Sequence, residues 1–285
     1  MKRFFTTICL AMAVFTTVTF SSCGKSDDPN KGGTGDTRIK VNPKNVFTAG
    51  LPQSVAGMRI HKDANGLVRL INGEGGTVSF QYKDESRAIA PAPDVIMTVE
   101  SKEESTVYKL YLNAEGFVKY ATHTTTYRDT KLEPENGQAE LSYDNDGHLV
   151  SAKIEGEETW KWSYKNGDLV KAECIDAEDT NDVNLVVVHY TSDKVTSPIP
   201  NKGCLMLYDL IIPADIDELI YAYYAGMLGK ATKHLPVLCV GKDEKDTAEV
   251  LSSWKLNETG LPVSLKYIVR ENAKIIDEDE LSFTW

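Results

Sequence analysis

Histidine is scarce in this chain, and no pattern makes it a ligand. The five histidines (61, 123, 148, 189 and 234) are scattered, and no two stand four residues apart. Neither His-Glu-x-x-His nor Cys-x-x-Cys occurs, so a zinc centre has no support. The Gly-x-Ser-x-Gly elbow and the phosphate loop are missing too. Those absences remove the usual signals of a hydrolase or a nucleotide enzyme. The expectation is no catalytic residue, no metal and no cofactor. Glycoside hydrolysis stays open as an alternative, because it needs only two carboxylates and 42 acids are present.

Positive charge is also in short supply. Lys and Arg total 31 against 42 Asp and Glu, a net charge of −11. Such a balance opposes nucleic acid and anionic membrane faces as partners. Beyond the N-terminus, no stretch approaches the ~18 consecutive apolar residues of a membrane-spanning helix. Cysteine is limited to five positions: 9, 23, 174, 204 and 239. The last three permit at most one disulfide, and buried free thiols fit their apolar contexts equally well.

What is present begins with an export signal. Lys2 and Arg3 precede a mostly apolar run from Phe4 to about Phe20, the order of a secretory leader. The leader ends Phe20-Ser21-Ser22-Cys23-Gly24. Small residues before a cysteine resemble a lipobox, in the looser form of Bacteroidetes lipoproteins, with Phe20 where Leu is usual. Residues 1–22 are thus expected to be removed and Cys23 to carry the lipid. Each buried CH₂ contributes about 0.8 kcal/mol, so several acyl chains anchor firmly. Lys25-Ser26-Asp27-Asp28 then resembles the acidic signal that sends such lipoproteins to the cell surface. The expected location is the outer membrane, lipid-anchored and facing outward, with the periplasmic face as alternative. Without residues 1–22 the balance is 29 basic to 42 acidic, near −13. Residues 23–45 are polar and Gly-rich, a flexible tether, and 46–285 form the folded domain.

That domain reads as β. A weak repeat runs through it: an alternating strand, a turn with Gly, another strand. Copies are Ile60-His-Lys-Asp-Ala-Asn-Gly66, Leu110-Tyr-Leu-Asn-Ala-Glu-Gly116, Leu141-Ser-Tyr-Asp-Asn-Asp-Gly147, Ser163-Tyr-Lys-Asn-Gly167 and Trp254-Lys-Leu-Asn-Glu-Thr-Gly260. Asn-Gly and Asp-Gly supply the positive φ of hairpin turns. Asp144-Asn145-Asp146-Gly147 has a calcium-loop look, but its Gly falls too early for an EF-hand, and a turn is expected. Val78, Phe80 and Tyr82 alternate with polar neighbours, as do Leu265, Tyr267 and Val269. Period two with one apolar face means a sheet wet on one side. One prominent helix is expected near 215–228, capped by Asp215 with Glu218 three places on. The fold class is mainly β: a curved antiparallel meander of hairpins, a barrel or half-barrel, with that helix covering one end.

The run Asp215-Ile-Asp217, then Tyr223-Tyr-Ala-Gly-Met-Leu-Gly-Lys230, then His234-Leu-Pro236, together with the Gly-turn hairpins, resembles an uncharacterised Bacteroidetes lipoprotein family. That family is a domain of unknown function described as having a porin-like fold. The resemblance covers about residues 55 to 285 and implies a barrel or half-barrel closed by helical segments. It implies no activity.

The candidate ligand-binding residues are Trp160, Trp162 and Tyr164, which share one strand face. Exposed, they would stack sugar rings; buried, they are sheet core. The terminal Leu281-Ser-Phe283-Thr-Trp285 looks like the last strand of an outer-membrane barrel, yet the sequence lacks the lipid-facing apolar set an integral barrel needs. The functional expectation is a lipid-anchored binding or scaffold protein for an unknown small molecule, glycan or protein partner. A glycan-contacting component of a surface uptake system is the alternative.

Overall fold

The computed structural model describes residues 41–83, 92–179, 183–212, 214–242 and 247–285. The leader and Cys23 lie outside these. Packing begins earlier than composition suggests: Val41 and Pro43, assigned above to the tether, are already buried. Both are apolar and lie against the domain, which outweighs the polar character of their neighbours.

Sixteen strands close into one antiparallel barrel. The first eight are β1 (Ser54–Val55), β2 (Met58–Lys62), β3 (Val68–Gly73), β4 (Gly76–Tyr82), β5 (Val95–Ser101), β6 (Glu104–Leu112), β7 (Val118–Tyr127) and β8 (Glu135–Tyr143). The meander continues through β9 (Leu149–Ile154), β10 (Glu158–Lys165), β11 (Asp168–Asp176) and β12 (Val183–His189). The chain then leaves the wall and forms a separate two-stranded ribbon from β13 (Ile199–Pro200) and β14 (His234–Leu235). It rejoins at β15 (Leu238–Lys242), which pairs with β12, and ends with β16 (Thr247–Leu256), β17 (Pro262–Glu271) and β18 (Lys274–Thr284). Closure comes from β1 on β18, Ser54 opposite Thr284 and Val55 opposite Phe283.

The Gly turns explain the meander. In the β8–β9 turn Asp144 Oδ1 accepts the N–H groups of Asp146 (2.9 Å) and His148 (2.8 Å). Gly147 follows at φ +89°, a conformation that costs a side-chain-bearing residue dearly. The same pattern of acceptor and bonded N–H groups recurs at Asp63, Asn113 and Asn257. Each is followed by a register shift in the adjoining strands. Up-and-down connectivity places these turns, the Asn166–Gly167 turn and Trp285 at one rim, and the Val41 end joins them there, with Pro43 against Gly226 and Asn45 beside the β6–β7 and β8–β9 turns. This rim also sees the chain leave after β12 and return before β15.

Alternation sorts the wall. Trp160, Trp162, Ala172, Cys174, Val186 and Val188 face inward and are buried, while Lys161, Ser163, Lys109, Glu140, Lys153 and Lys266 face outward. Along the Leu185–Val188 run, the inward valines are buried and Leu185 and Val187 are only half-buried. The lumen is filled by the excursion between β12 and β15. Met206, Ile212, Ile216, Tyr223, Met227 and Leu228 are fully buried there.

The helix within this plug is shorter than its periodicity predicts. A 3-10 turn at Asp217–Ile220 leads into a single α turn, α1 (Tyr221–Tyr224). The Asp215–Glu218 capping pair does not form; Ile216 holds the N-cap position, with no side-chain hydrogen bond there. Asp217 takes φ +48°, and Gly226 ends the segment at φ +79°. The physical reason is burial on every side. Ala222, Tyr223, Tyr224 and Ala225 all touch core, so lumen packing overrides one-faced helical patterning.

Candidate functional site

The aromatic ladder is core. Trp160 and Trp162 are each 3% exposed and stack with ring centroids 6.1 Å apart. Trp160 Nε1 donates to Glu158 Oε1 at 2.7 Å. Tyr164, half-buried, stacks on His148 at 4.4 Å. These rings point into the lumen because β10 turns its apolar face to the plug. They are not presented as a platform for sugar rings.

At the rim where the turns gather, polar bonds lock the plug to the wall. Asp168 Oδ1 accepts the His234 N–H (2.9 Å), and Asp168 Oδ2 sits 2.8 Å from His234 Nδ1. Thr232 Oγ1 accepts the Leu169 N–H and lies 2.7 Å from the Tyr190 hydroxyl. Lys230 N–H donates to Gly147 O (2.8 Å), and Val118 N–H to Met227 O (2.9 Å). Buried Asn201 donates to the carbonyls of Leu205 and Thr232. Resemblance placed Tyr223–Lys230 and His234–Pro236 in one motif; the structure shows why they travel together, as the returning limb of the plug.

Donor atoms of Asp144, Asp146 and His148 lie within 4.8 Å of one another beside a cavity of about 650 Å³. Asp144 is already engaged: Oδ1 by two backbone N–H groups, and Oδ2 at 3.0 Å from His148 Nδ1. The segment is a turn, as its Gly spacing suggests.

The opposite rim is different. A cavity of about 630 Å³ opens between the β1–β2, β3–β4 and β5–β6 turns and the flank of β18. Its apolar floor includes Met58, Ile71, Val99 and Leu281; Glu74, Glu100, Glu104 and Glu218 supply charge, and no Lys or Arg lines it. Glu218 Oε2 accepts the Tyr108 hydroxyl at 2.6 Å. Further acids sit where the plug meets this rim. Burial pushes the Asp209 carboxyl up to about 8, reinforced by Asp215 and Asp217. Burial, then Glu157 and Glu218, push Asp217 up to about 7. Distant sequence positions thus supply one acidic quarter. No local motif could have shown this, because its members come from the plug and from separate hairpins.

Residues 55–264 match the family described as a domain of unknown function (DUF4595) with porin-like fold. The chain belongs to that family. Two solved structures are similar, and the first shares the fold. A porin-like protein from Bacteroides uniformis is 13% identical, with 80% of this chain and 88% of that one covered and a TM-score of 0.56. A porin-like protein from Bacteroides vulgatus is 14% identical, covering 80% and 92%, with a TM-score of 0.49. No curated protein matches.

Proposed function

We propose that this porin-like domain is a binding protein of the cell envelope, held to the outer membrane through lipid on Cys23, and that it conducts nothing. One observation carries the reading: the barrel is inverted relative to a membrane pore. A membrane barrel is apolar outside and polar within. Here the lumen is packed with apolar plug residues and the outer wall carries Lys109, Glu140, Lys153, Lys161 and Lys266. Even the sector richest in outward aliphatics, Val187, Val240, Leu251 and Ile268, is interrupted by Glu249, Arg270 and the Lys171–Glu173 ion pair (2.9 Å). A Lys or Arg at the bilayer midplane costs about 2–4 kcal/mol, so several on one wall oppose its insertion into lipid.

Val41 lies at the plugged rim, which supports a reading in which the acidic rim points away from the membrane. The test combines two measurements on the full chain made in a host that lipidates. Radiolabelled palmitate is incorporated into the wild type and lost in Cys23→Ala. Planar bilayers given the purified protein stay silent. Stable single-channel currents would overturn the reading.

A further inference from the structure

Closing a sheet into a barrel normally consumes every edge. Here it does not. β1 covers only Phe283 and Thr284 of β18, with one more bond from Ala56 N–H to Ser282 O (3.1 Å). From Lys274 to Leu281, β18 pairs with β17 on one side and, among the described residues, with no strand on the other. Among the described residues, the β17–β18 hairpin therefore rises past its short neighbour with one flank open.

The direction of the free groups follows from alternation. Ser282 O faces β1, so two and four residues back the N–H and C=O of Glu280 and Glu278 face the open flank. Among the described residues, the Glu280 N–H has a local partner, Asp279 Oδ1 at 2.7 Å. The flank borders the 630 Å³ cavity, whose lining includes Asp279, Glu280, Leu281 and Ser282. Across the cavity stand Glu74, Glu104 and Glu218. Two of its acids are already paired: Glu100 with Arg128 (3.4 Å) and Glu280 with Lys255 (2.7 Å). Beside the flank, Ile275 and Ile276 are 58% and 52% exposed.

We propose that the open flank of β18 accepts an extended, basic peptide segment as an added strand. The backbone N–H and C=O of Glu278 and the C=O of Glu280 supply the ladder. Guest side chains on one face enter the cavity beside Asp279 and Leu281, which share a face of β18, and meet Glu74, Glu104, Met58 and Val99; the alternate ones lie outward beside Glu278 and Glu280. Strand addition draws affinity from main-chain bonds and specificity from alternating side chains. A small amine would meet the acids but leave the ladder unused. A second copy of this chain would set Asp277–Glu280 against the same acids, which charge repulsion opposes. The proposal rests on the binding-protein reading above and names the partner's chemistry.

The test uses the full chain and a fluorescent ten-residue peptide of alternating Lys and Val. Anisotropy is expected to show saturable binding. An alternating Glu-Val peptide, and a Lys-Val peptide N-methylated on the pairing edge, each bind at least about tenfold more weakly. Glu278→Pro deletes an outward N–H at a position where an edge strand tolerates proline, and weakens binding about tenfold. Glu104→Gln weakens it about threefold and flattens its salt dependence. Should Glu278→Pro misfold, the N-methylated peptide asks the same question of the unaltered protein. Equal binding of Lys-Val and Glu-Val peptides, indifference to N-methylation, or a dimer abolished by changes on β18 would each overturn the proposal. None of these results bears on conductance, so the binding-protein reading fails or stands separately.

Discussion

The two rims of this barrel are made from the same hairpins and finished in opposite ways. At one, Asx-type turns, both described chain ends and the limbs of the plug knit together through Asp168, His234, Thr232, Asn201 and the carbonyl of Gly147. At the other, turns are short, acids outnumber the cations paired with them, and a hairpin stands clear of its neighbour. At the first rim these polar groups serve the fold. At the second, buried carboxyls weaken the fold, and groups able to bond are left facing outward. Polar groups that hold the fold and polar groups left facing outward are thus separated along the barrel axis.

The largest effect that would test this separation comes from the plug. Tyr223 is fully buried, donates to Cys204 O at 2.5 Å and meets Phe47, Tyr208 and Tyr224 edge-on. Tyr223→Ala should cost about 3–5 kcal/mol, read from chemical denaturation. A loss below 1 kcal/mol would mean the plug is not what supports the wall.

The acidic rim should respond with the opposite sign. The carboxyls of Asp209 and Asp217 are raised in the folded chain above their ordinary 3.8. The folded state therefore holds their protons more tightly than the unfolded one. Stability from these groups is complete below pH 4 and declines as pH rises through about 7 to 8. Asp209→Asn should then stabilise at pH 8.5 by on the order of 2 kcal/mol and have little effect at pH 4. Equal melting shifts at both pH values would remove the asymmetry.

Smaller changes sharpen the contrast. Asp144→Ala at the plugged rim leaves the N–H groups of Asp146 and His148 without their acceptor and should cost about 1–2 kcal/mol. Ile275→Lys at the open rim should stay within about 0.5 kcal/mol in thermal denaturation, since the side chain is largely exposed. If Ile275→Lys cost more than Asp144→Ala, the open rim would be structural after all.

The turns and the alternation made the meander legible, because Gly66, Gly116, Gly147, Gly167 and Gly260 each demand a backbone that few other residues adopt. Closure was legible only as an alternative, since a two-residue strand such as Ser54–Val55 has no periodicity to read. The helix was overread. Ile216, Leu219, Tyr223 and Met227 fit a helical face, but so do residues packed on all sides of a lumen. Trp160 and Trp162 could be placed on one face but not inside or outside, because alternation fixes parity and leaves the choice of side open. The acidic rim was illegible: Asp209, Glu104 and Glu157 are far apart in sequence, and only the topology brings them together.

The pairing of Ser54–Val55 with Phe283–Thr284 also sets an order of events. β1 is the first described strand in chain order, yet its partner is the last described one. Until β18 exists the wall is an open sheet, and the excursion between β12 and β15 can lie down on it unobstructed. Sealing the ring early would shut that excursion out. A seam two residues wide, joined late, lets the molecule be filled before it is closed.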